Sequence, residues 1–560
     1  MRNGILALWS AIRRGVGSAA GTVARADRWL LGAIAAGVFF GAQGWNWGRY
    51  DCLNLDRMAF KSVMSSNRGV FEPASFRKPP FYTYVNFFLA RWPAEFVGRN
   101  LFWTSIEFRK EFRLIARTVL ARGVNLAMFA ALVAFVYQVA KTAYGLLPAR
   151  VSAWILATSA GFVPYQIYLT TDLAMVFLMG AVFVCAVGIL KRPGIGISVA
   201  AGLLAGLCAA TKYNGLAIAI CLPLAHLLAS GRNPVLECLR RPAAWLCGLA
   251  VPVGFVLGNP YSVLNFPKFR DDFLYNYTTT PVYGGQVEGT GYVAFLFEFF
   301  EIFGQPAVWF LLAGLVVGFW AVIQAMRAGH GITWKVWLLA AAVFILYFWK
   351  IGEFPRMTTR FVLPMAPFVL LLAAAGFGML FRLRWVAVPV LVLILAYNAV
   401  CAWMVGGLFR NDPRMLALRW ADENMTGVVE SSTSSPQWNE IQKRKIKVVE
   451  IPSGVERRLL FEEMFAADES MLAEVNRFED GTSVDWFTAE ARRKRNPRFV
   501  AWNSMDVESL VRHEYDALSQ PDSGYRVVFD ASSPERPGWA YPKSADFLIN
   551  RMTIWERING

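Results

Sequence analysis

The sequence predicts a polytopic α-helical membrane protein of about eleven transmembrane helices, followed by a C-terminal α/β soluble domain on the outer face. Three observations carry this prediction. Of 560 residues, 56% are hydrophobic and only 17% charged, where a soluble chain carries about a quarter charged. The apolar surplus lies in blocks long enough to cross a bilayer, which takes about 20 residues as a helix. Beyond residue 408 those blocks stop, and short strand-like and helix-like runs rich in charge replace them.

Residues 1–28 are basic (Arg2, Arg13, Arg14, Arg25, Arg28) and lead into the first apolar run without a small-residue cleavage site. They read as a cytoplasmic tail before a retained first span, not as a removed signal. Spans are expected near 29–47, 119–139, 151–167, 173–190, 196–210, 216–230, 243–260, 303–325, 335–349, 361–380 and 385–407. The run Thr211-Lys212-Tyr213-Asn214-Gly215 interrupts one long apolar block between the fifth and sixth. Lys and Arg concentrate in the loops holding Lys141 and Arg150, Lys191 and Arg192, Arg240 and Arg241, Arg327 and Lys335, and Arg382 and Arg384. The positive-inside rule makes these loops cytoplasmic. The chain then sits in the cytoplasmic (inner) membrane as a multi-pass protein, with its N-terminus inside and its C-terminal domain outside.

The transmembrane domain runs over 29–407, with a first outer loop at 48–118 and a second at 261–302. In the first loop, Arg109, Arg113 and Arg117 recur every four residues among Phe and Trp, as expected of an interfacial amphipathic helix. In the outer domain, 408–560, strands are expected at 446–451, 498–502, 525–530 and 552–558, and helices at 412–424, 457–478, 483–494 and 508–519.

The net charge of +16 is scattered over short loops, which suits a membrane surface or anionic headgroups and not nucleic acid. Seven cysteines lie mostly inside apolar segments without a CxxC spacing, so neither a disulfide framework nor a zinc site is expected. The three histidines (His226, His330, His513) stand apart from the acidic loops, so a general base would be a carboxylate.

Charged groups near a bilayer are costly and are functional candidates by default. Five polar groups fall at the outer ends of spans: Asp51 with Asp56, Asp172, Lys212, Tyr261 to Asp272, and Lys350 to Arg360. Carboxylates can take a proton from an incoming nucleophile, and Lys and Arg can hold a phosphate. Plainer readings stand beside these. Asp56 could cap a helix at 57–65, Asp172 could cap the fourth span, and Lys212 could snorkel to the headgroups. Arg360, Lys350 and Arg356 could anchor the interface, and Glu72, Asp271 and Asp272 read as solvated loop charges. By position alone Asp51 and Asp56 are equal candidates for a base.

The pattern LNLDRMAF…GVFEPASFRKPPFYTYV resembles the first outer loop of GT-C glycosyltransferases, the polytopic enzymes that include protein O-mannosyltransferases and the lipid A aminoarabinose transferases. Further similar stretches follow in order: TTDLAMVF, GLLAGLCAATKYNGLAIAICLPL, GNPYSVLNFPKFRDDF, RFVLPMAPFVLLLAAAGF and NDPRMLALRWADEN. The resemblance covers most of 30–425. It implies an inverting transfer of a sugar from a polyprenyl-phosphate donor to a lipid, glycan or protein acceptor at the outer face. It makes Asp56 the general base, with Asp51 in reserve, and Asp172 a second acid that shapes the acceptor or metal site. It puts Lys78, Lys212 and Arg360 on the donor phosphate, and Tyr82, Tyr213 and Tyr261 along the substrate path. The family's Asp-Glu pair is Asp56-Arg57 here, which weakens the case for a divalent metal without removing it, and leaves Arg57 as a further phosphate contact. The resemblance implies no certain cofactor. A lipid or glycan transporter (flippase) and a non-catalytic envelope-assembly protein are the alternatives. The first would place its charges at the membrane midplane, and the second has no need for acids and cations gathered on one face.

Overall fold

The computed structural model describes residues 27–45, 47, 71–73, 75–101, 104–230, 233–279, 291–329, 331–354, 357–431, 446–450, 489–503, 516–543 and 551–558. Asp51, Asp56, Arg57, Arg356, His330, His513 and the expected helix at 457–478 lie outside these residues.

Every expected apolar block is helical. Helices Ile115–Tyr144, Thr171–Lys191, Gln305–Arg327 and Gly331–Ile351 are each long and apolar enough to cross a membrane, as is the stretch Thr359–Asn424. That stretch contains two of the expected spans, as helices Ala366–Leu380 and Arg384–Arg410. Two bent pairs, Leu146–Thr158 with Ala160–Ile167 (53°) and Pro234–Arg240 with Pro242–Gly258 (69°), supply two more. Arg28–Ala42, Ile195–Thr211 and Tyr213–Leu228 are shorter apolar helices. The break in the long apolar block is real. Lys212 is extended (φ −157°, ψ 129°), and the chain resumes as a 3-10 stretch, Tyr213–Ile220.

Small residues set the tightest helix contacts, as is usual where lipid removes the hydrophobic drive between helices. A Cβ on Gly202 or Gly206 would lie 2.2 Å from the carbonyl oxygen of Cys247 or 2.1 Å from that of Val251. Helices Ile195–Thr211 and Pro242–Gly258 therefore meet backbone to backbone. Gly304, at φ +78°, turns the chain between helices Gly291–Phe303 and Gln305–Arg327 in a conformation that favours glycine.

The first outer loop differs from expectation. Arg109, Arg113 and Arg117 do not sit on a separate interfacial helix. They form the first turns of one 39-residue helix, Ile106–Tyr144, that continues into the second span. Ser105 caps it by accepting a hydrogen bond from the Phe108 amide at 3.1 Å. Nothing between Ile106 and Arg122 breaks a helix, since the stretch lacks both glycine and proline. Among the described residues, the loop's other helices are Phe81–Asn86 and Trp92–Asn100, joined by a π-helical turn, Phe87–Arg91.

The bundle has two distinct ends. At one, Asp27 caps helix Arg28–Ala42 and accepts hydrogen bonds from Arg150 Nε at 2.8 Å and from Tyr137 Oη at 2.7 Å. The Arg150 hydrogen bond is the main cause that lowers the Asp27 carboxyl to about 2. At the other end, the buried Arg122 donates to the carbonyl oxygens of Ile167 at 3.2 Å and Trp45 at 2.8 Å. There the indole of Trp47 donates to Asp412 Oδ2 at 2.8 Å, and Asp412 also caps helix Pro413–Asn424 and pairs with Arg414. This end carries the sheet domain, tied further by the Tyr397 hydroxyl, which donates to the Trp539 carbonyl at 2.6 Å.

The sheet has five strands in the order β2-β1-β3-β5-β4, with β1 Gly427–Ser431, β2 Ile446–Glu450, β3 Phe499–Asn503, β4 Tyr525–Ser532 and β5 Arg551–Arg557. β2, β1 and β3 are parallel, and β5 pairs antiparallel with β3 and β4. The four expected strands are present within two residues of their expected limits, and β1 is an addition. Its sequence, GVVES, reads as too polar for an interior strand. Glu430 is nevertheless buried there, because Arg492 and Arg495 donate to its two oxygens at 3.0 and 2.7 Å.

Candidate functional site

The polar groups singled out above that fall among the described residues include Asp172, Lys212 and Arg360. Asp172 lies in the first turn of helix Thr171–Lys191, where the helix dipole favours a negative charge. Lys212 stands at the break after Ile195–Thr211, where the extended backbone turns its side chain towards that helix start. Lys212 Nζ donates to Asp172 Oδ1 at 2.6 Å, with the Asp172 side chain only 6% and that of Lys212 23% exposed. Sequence reading treated the two as separate candidates, one acid and one cation. In the fold they are one ion pair.

Arg360 joins them. It opens the short helix Thr359–Val362, and its guanidinium lies 5.2 Å from the centre of the Phe361 ring. Lys212 Nζ lies 5.4 Å from the same ring centre, so one aromatic face is flanked by both cations. Lys78, from the Lys-Pro-Pro run, completes the group. Its side chain reaches solvent, yet protein crowds its ammonium, and this burial together with the charge of Arg360 lowers it to about 8. Asp172 and Lys212 also act on Lys78 electrostatically. Three cations and one carboxylate therefore form one cluster with a net positive charge. Such a cluster can hold a phosphate, and preorganised charge away from bulk water is most effective for that.

Lys78 is positioned by its neighbours in the loop. The Phe76 amide donates to Asp272 Oδ2 at 2.8 Å, and the Tyr213 hydroxyl donates to the Phe76 carbonyl at 2.6 Å. Asn265 donates to Glu72 Oε1 at 2.6 Å, and Lys268 to the Pro73 carbonyl at 3.3 Å. Arg77 lies over the Tyr275 ring at 3.6 Å. Glu72 and Asp272, expected as solvated charges, instead clasp residues 72–77 to helix Phe266–Thr279. The pairing is legible only in three dimensions, because almost two hundred residues separate the partners. Asp271 does remain at the surface, paired with Arg270, and Lys350 pairs with Glu353.

The three tyrosines divide. Tyr213 holds the loop as described. Tyr261 begins helix Tyr261–Leu264, half-exposed beside Tyr84 and Glu72. Tyr82 is buried, and its hydroxyl donates to Asn125 Oδ1 at 2.7 Å, while Asn125 Nδ2 donates to the Tyr168 carbonyl at 2.8 Å. Its hydroxyl thus faces the core rather than the cluster. Tyr82→Phe is expected to lower unfolding free energy by about 1–3 kcal/mol, the cost of a buried group left without its partner, with the affinity for substrate unchanged. Unfolding in detergent alongside KM would check this; a tenfold rise in KM at unchanged stability would put the hydroxyl on the substrate.

Glu298 was not singled out from sequence, because it sits inside the aromatic run FLFEFFEIF. It accepts a hydrogen bond from Thr359 Oγ1 at 2.7 Å, one residue from Arg360. Burial raises its carboxyl to about 7. Asp172, Arg360 and Glu298 all act electrostatically on the buried Tyr165, so the carboxylate belongs to the same neighbourhood. Two acids three residues apart in an otherwise apolar aromatic run, Glu298 and Glu301, were the available signal.

Among the described residues, no group of three or more His, Cys, Asp and Glu side chains could hold a metal ion. Asp172 is engaged by Lys212 and its charged neighbours are cations, so these described residues do not by themselves fit a metal, and Asp51 and Asp56 lie outside them.

No protein-family model matches the chain, and no curated protein matches it by sequence. Solved structures are similar to it in fold. The chain is 14% identical to ArnT from Cupriavidus metallidurans bound to undecaprenyl phosphate, covering 94% of this chain and 98% of that one at a TM-score of 0.48. The same protein in its apo state gives 16% identity over 97% and 99% of the two chains, at a TM-score of 0.47. The archaeal oligosaccharyltransferase AglB from Archaeoglobus fulgidus, in complex with an inhibitory peptide and a dolichol-phosphate, is 13% identical over 92% of this chain and 75% of that one, at a TM-score of 0.46.

Proposed function

We propose that this protein is an inverting GT-C glycosyltransferase that moves a sugar from a polyprenyl-phosphate donor to a lipid, glycan or protein acceptor at the outer face of the cytoplasmic membrane. The observation that carries the reading is the gathering of Lys78, Lys212, Arg360 and Asp172 in one cluster. The ordered motifs along the sequence support it. In the proposed reaction the acceptor's nucleophilic atom attacks the anomeric carbon and forms the new bond. The bond from that carbon to the phosphate oxygen breaks, and its electron pair leaves with the lipid phosphate. Asp56 takes the acceptor's proton. Lys78 and Arg360, with Arg57 as a further contact, bind the growing negative charge. Lys212 contributes from its pair with Asp172, which holds its ammonium within the cluster.

The reading is tested by donor-dependent transfer in purified protein, followed by mass spectrometry of the acceptor, with the pH varied. An ordinary lysine stays charged to about 10.5, whereas Lys78 loses its proton near 8. Below that value it is charged and can hold the phosphate, and above it the charge is lost. Apparent donor affinity should therefore fall by about tenfold between pH 7 and 9, and Lys78→Arg should flatten the fall, since arginine stays protonated throughout. Donor affinity independent of pH in the parent protein would remove Lys78 from the phosphate site. Transport of the donor across liposomes without sugar transfer would favour a flippase.

A further inference from the structure

A second basic cluster lies in the first outer loop, apart from the site above. Helix Trp92–Asn100 packs against the first turns of Ile106–Tyr144. Arg91, Arg99, Arg113 and Arg117 gather along this seam, and Arg109 stands one turn before Arg113 on the same helix face. Glu95 accepts a hydrogen bond from Arg113 Nη1 at 3.0 Å and lies 3.9 Å from Arg99 Nε. Arg117 is close enough to Arg91 to act on it electrostatically. Arg109 Nε is buried with no hydrogen-bond acceptor among the described residues. Gly98 permits the packing, since a Cβ there would come within 2.3 Å of Arg113 Cγ. Over residues 87–118 the sequence holds six basic and three acidic side chains.

The outer wall of the seam is apolar. A cleft of about 670 Å³ is lined by Phe87, Arg91, Trp92, Glu95, Phe96 and Arg99, along with Asn100. Trp92 and Phe96 stack on each other and remain 57% and 58% exposed, and Phe88 and Leu89 are exposed beside them. The seam lies at the start of the helix Ile106–Tyr144, whose later turns are long and apolar enough to cross a membrane.

We propose that this seam is a binding site for the phosphate of an anionic membrane lipid, with Arg91, Arg99 and Arg109 on the headgroup and Trp92 and Phe96 against its acyl chains. The occupant is a lipid and not a free anion, because the guanidinium groups of Arg91 and Arg99 share one cleft with exposed aromatic rings, beside the start of a membrane-crossing helix. The aromatic wall provides a place for chains that a free phosphate lacks. A seated lipid would also bridge the two helices that lead from the Lys78 loop into the second span.

Native mass spectrometry of the full-length protein in detergent tests this, with dioctanoyl phosphatidylglycerol, dioctanoyl phosphatidylcholine and inorganic phosphate as probes. Phosphatidylglycerol should be retained in preference to phosphatidylcholine, and inorganic phosphate at equal concentration should not displace it. The triple variant Arg91→Gln, Arg99→Gln, Arg109→Gln should weaken retention of phosphatidylglycerol by about tenfold and leave phosphatidylcholine unchanged, as the loss of charge-assisted contacts predicts. If the triple variant unfolds, the surface change Arg99→Gln decides alone, with a threefold loss expected at an unaltered unfolding temperature. Equal retention of the two lipids, displacement by inorganic phosphate, or a variant that holds phosphatidylglycerol as well as the parent would each overturn the proposal.

Discussion

Lys212→Met should destabilise the protein by about 3–5 kcal/mol, the usual cost of leaving a buried charge without its partner, and should abolish transfer with it. The Asp172 carboxylate is almost wholly buried and takes the Lys212 ammonium at 2.6 Å. Methionine keeps most of the side-chain volume and removes only the charge, so the effect isolates electrostatics from packing. The double variant Asp172→Asn, Lys212→Met removes both charges and should recover most of the stability. Transfer should remain low in it, because the cluster has lost a cation that faces the donor phosphate. Unfolding in detergent and transfer rates, measured on all three variants, separate the two effects. A single Lys212→Met variant as stable as the parent would mean that solvent, and not Lys212, compensates Asp172. A double variant with full activity would make the pair a structural fastening only.

Asp56→Asn should lower the transfer rate by about 10²–10⁴, the range expected when a general base is removed, while the unfolding temperature and donor binding stay near those of the parent. Asparagine matches aspartate in shape and cannot take the acceptor's proton. Asp56 lies outside the described residues, but both flanks of its loop are fixed at the same end of the bundle. Trp47 is held by Asp412 on one side, and Phe76 is held by Asp272 and Tyr213 on the other. Asp51→Asn is the matched control and should leave the rate near that of the parent. If the two results are exchanged, Asp51 is the base. If neither change slows transfer, the carboxylate-base mechanism fails, and Glu298, with its carboxyl at about 7 beside Arg360, becomes the next acid to test.

The apolar helical blocks, the break at Lys212 and the change of composition near residue 408 were legible in the residues themselves, although among the described residues five helices, or seven with the bent pairs, reach membrane-crossing length. Each depends on local properties: the length an apolar helix needs to cross a bilayer, the cost of a charge inside one, and the loss of long apolar runs. Four of the five strands were legible for the same reason, since β-branched and aromatic runs favour strands wherever they occur. β1 was not, because its buried glutamate is tolerated only through two arginines some sixty residues away.

Partnership is what the tertiary structure alone decided. Residue type and position made Asp172, Lys212 and Arg360 candidates for chemistry and the resemblance added Lys78, but neither made them a group. That Asp172 and Lys212 form one pair, that Glu72 and Asp272 clasp a loop, and that Tyr82 turns its hydroxyl inward all rest on contacts between distant segments. The arginines of the first outer loop make the same point. Their four-residue spacing showed a shared helical face, and only the packing of Trp92–Asn100 against that face shows that it borders a cleft. A periodic pattern specifies which side chains share a face, because that is a property of one helix. What the face meets is a property of two, and it is set where their backbones can approach.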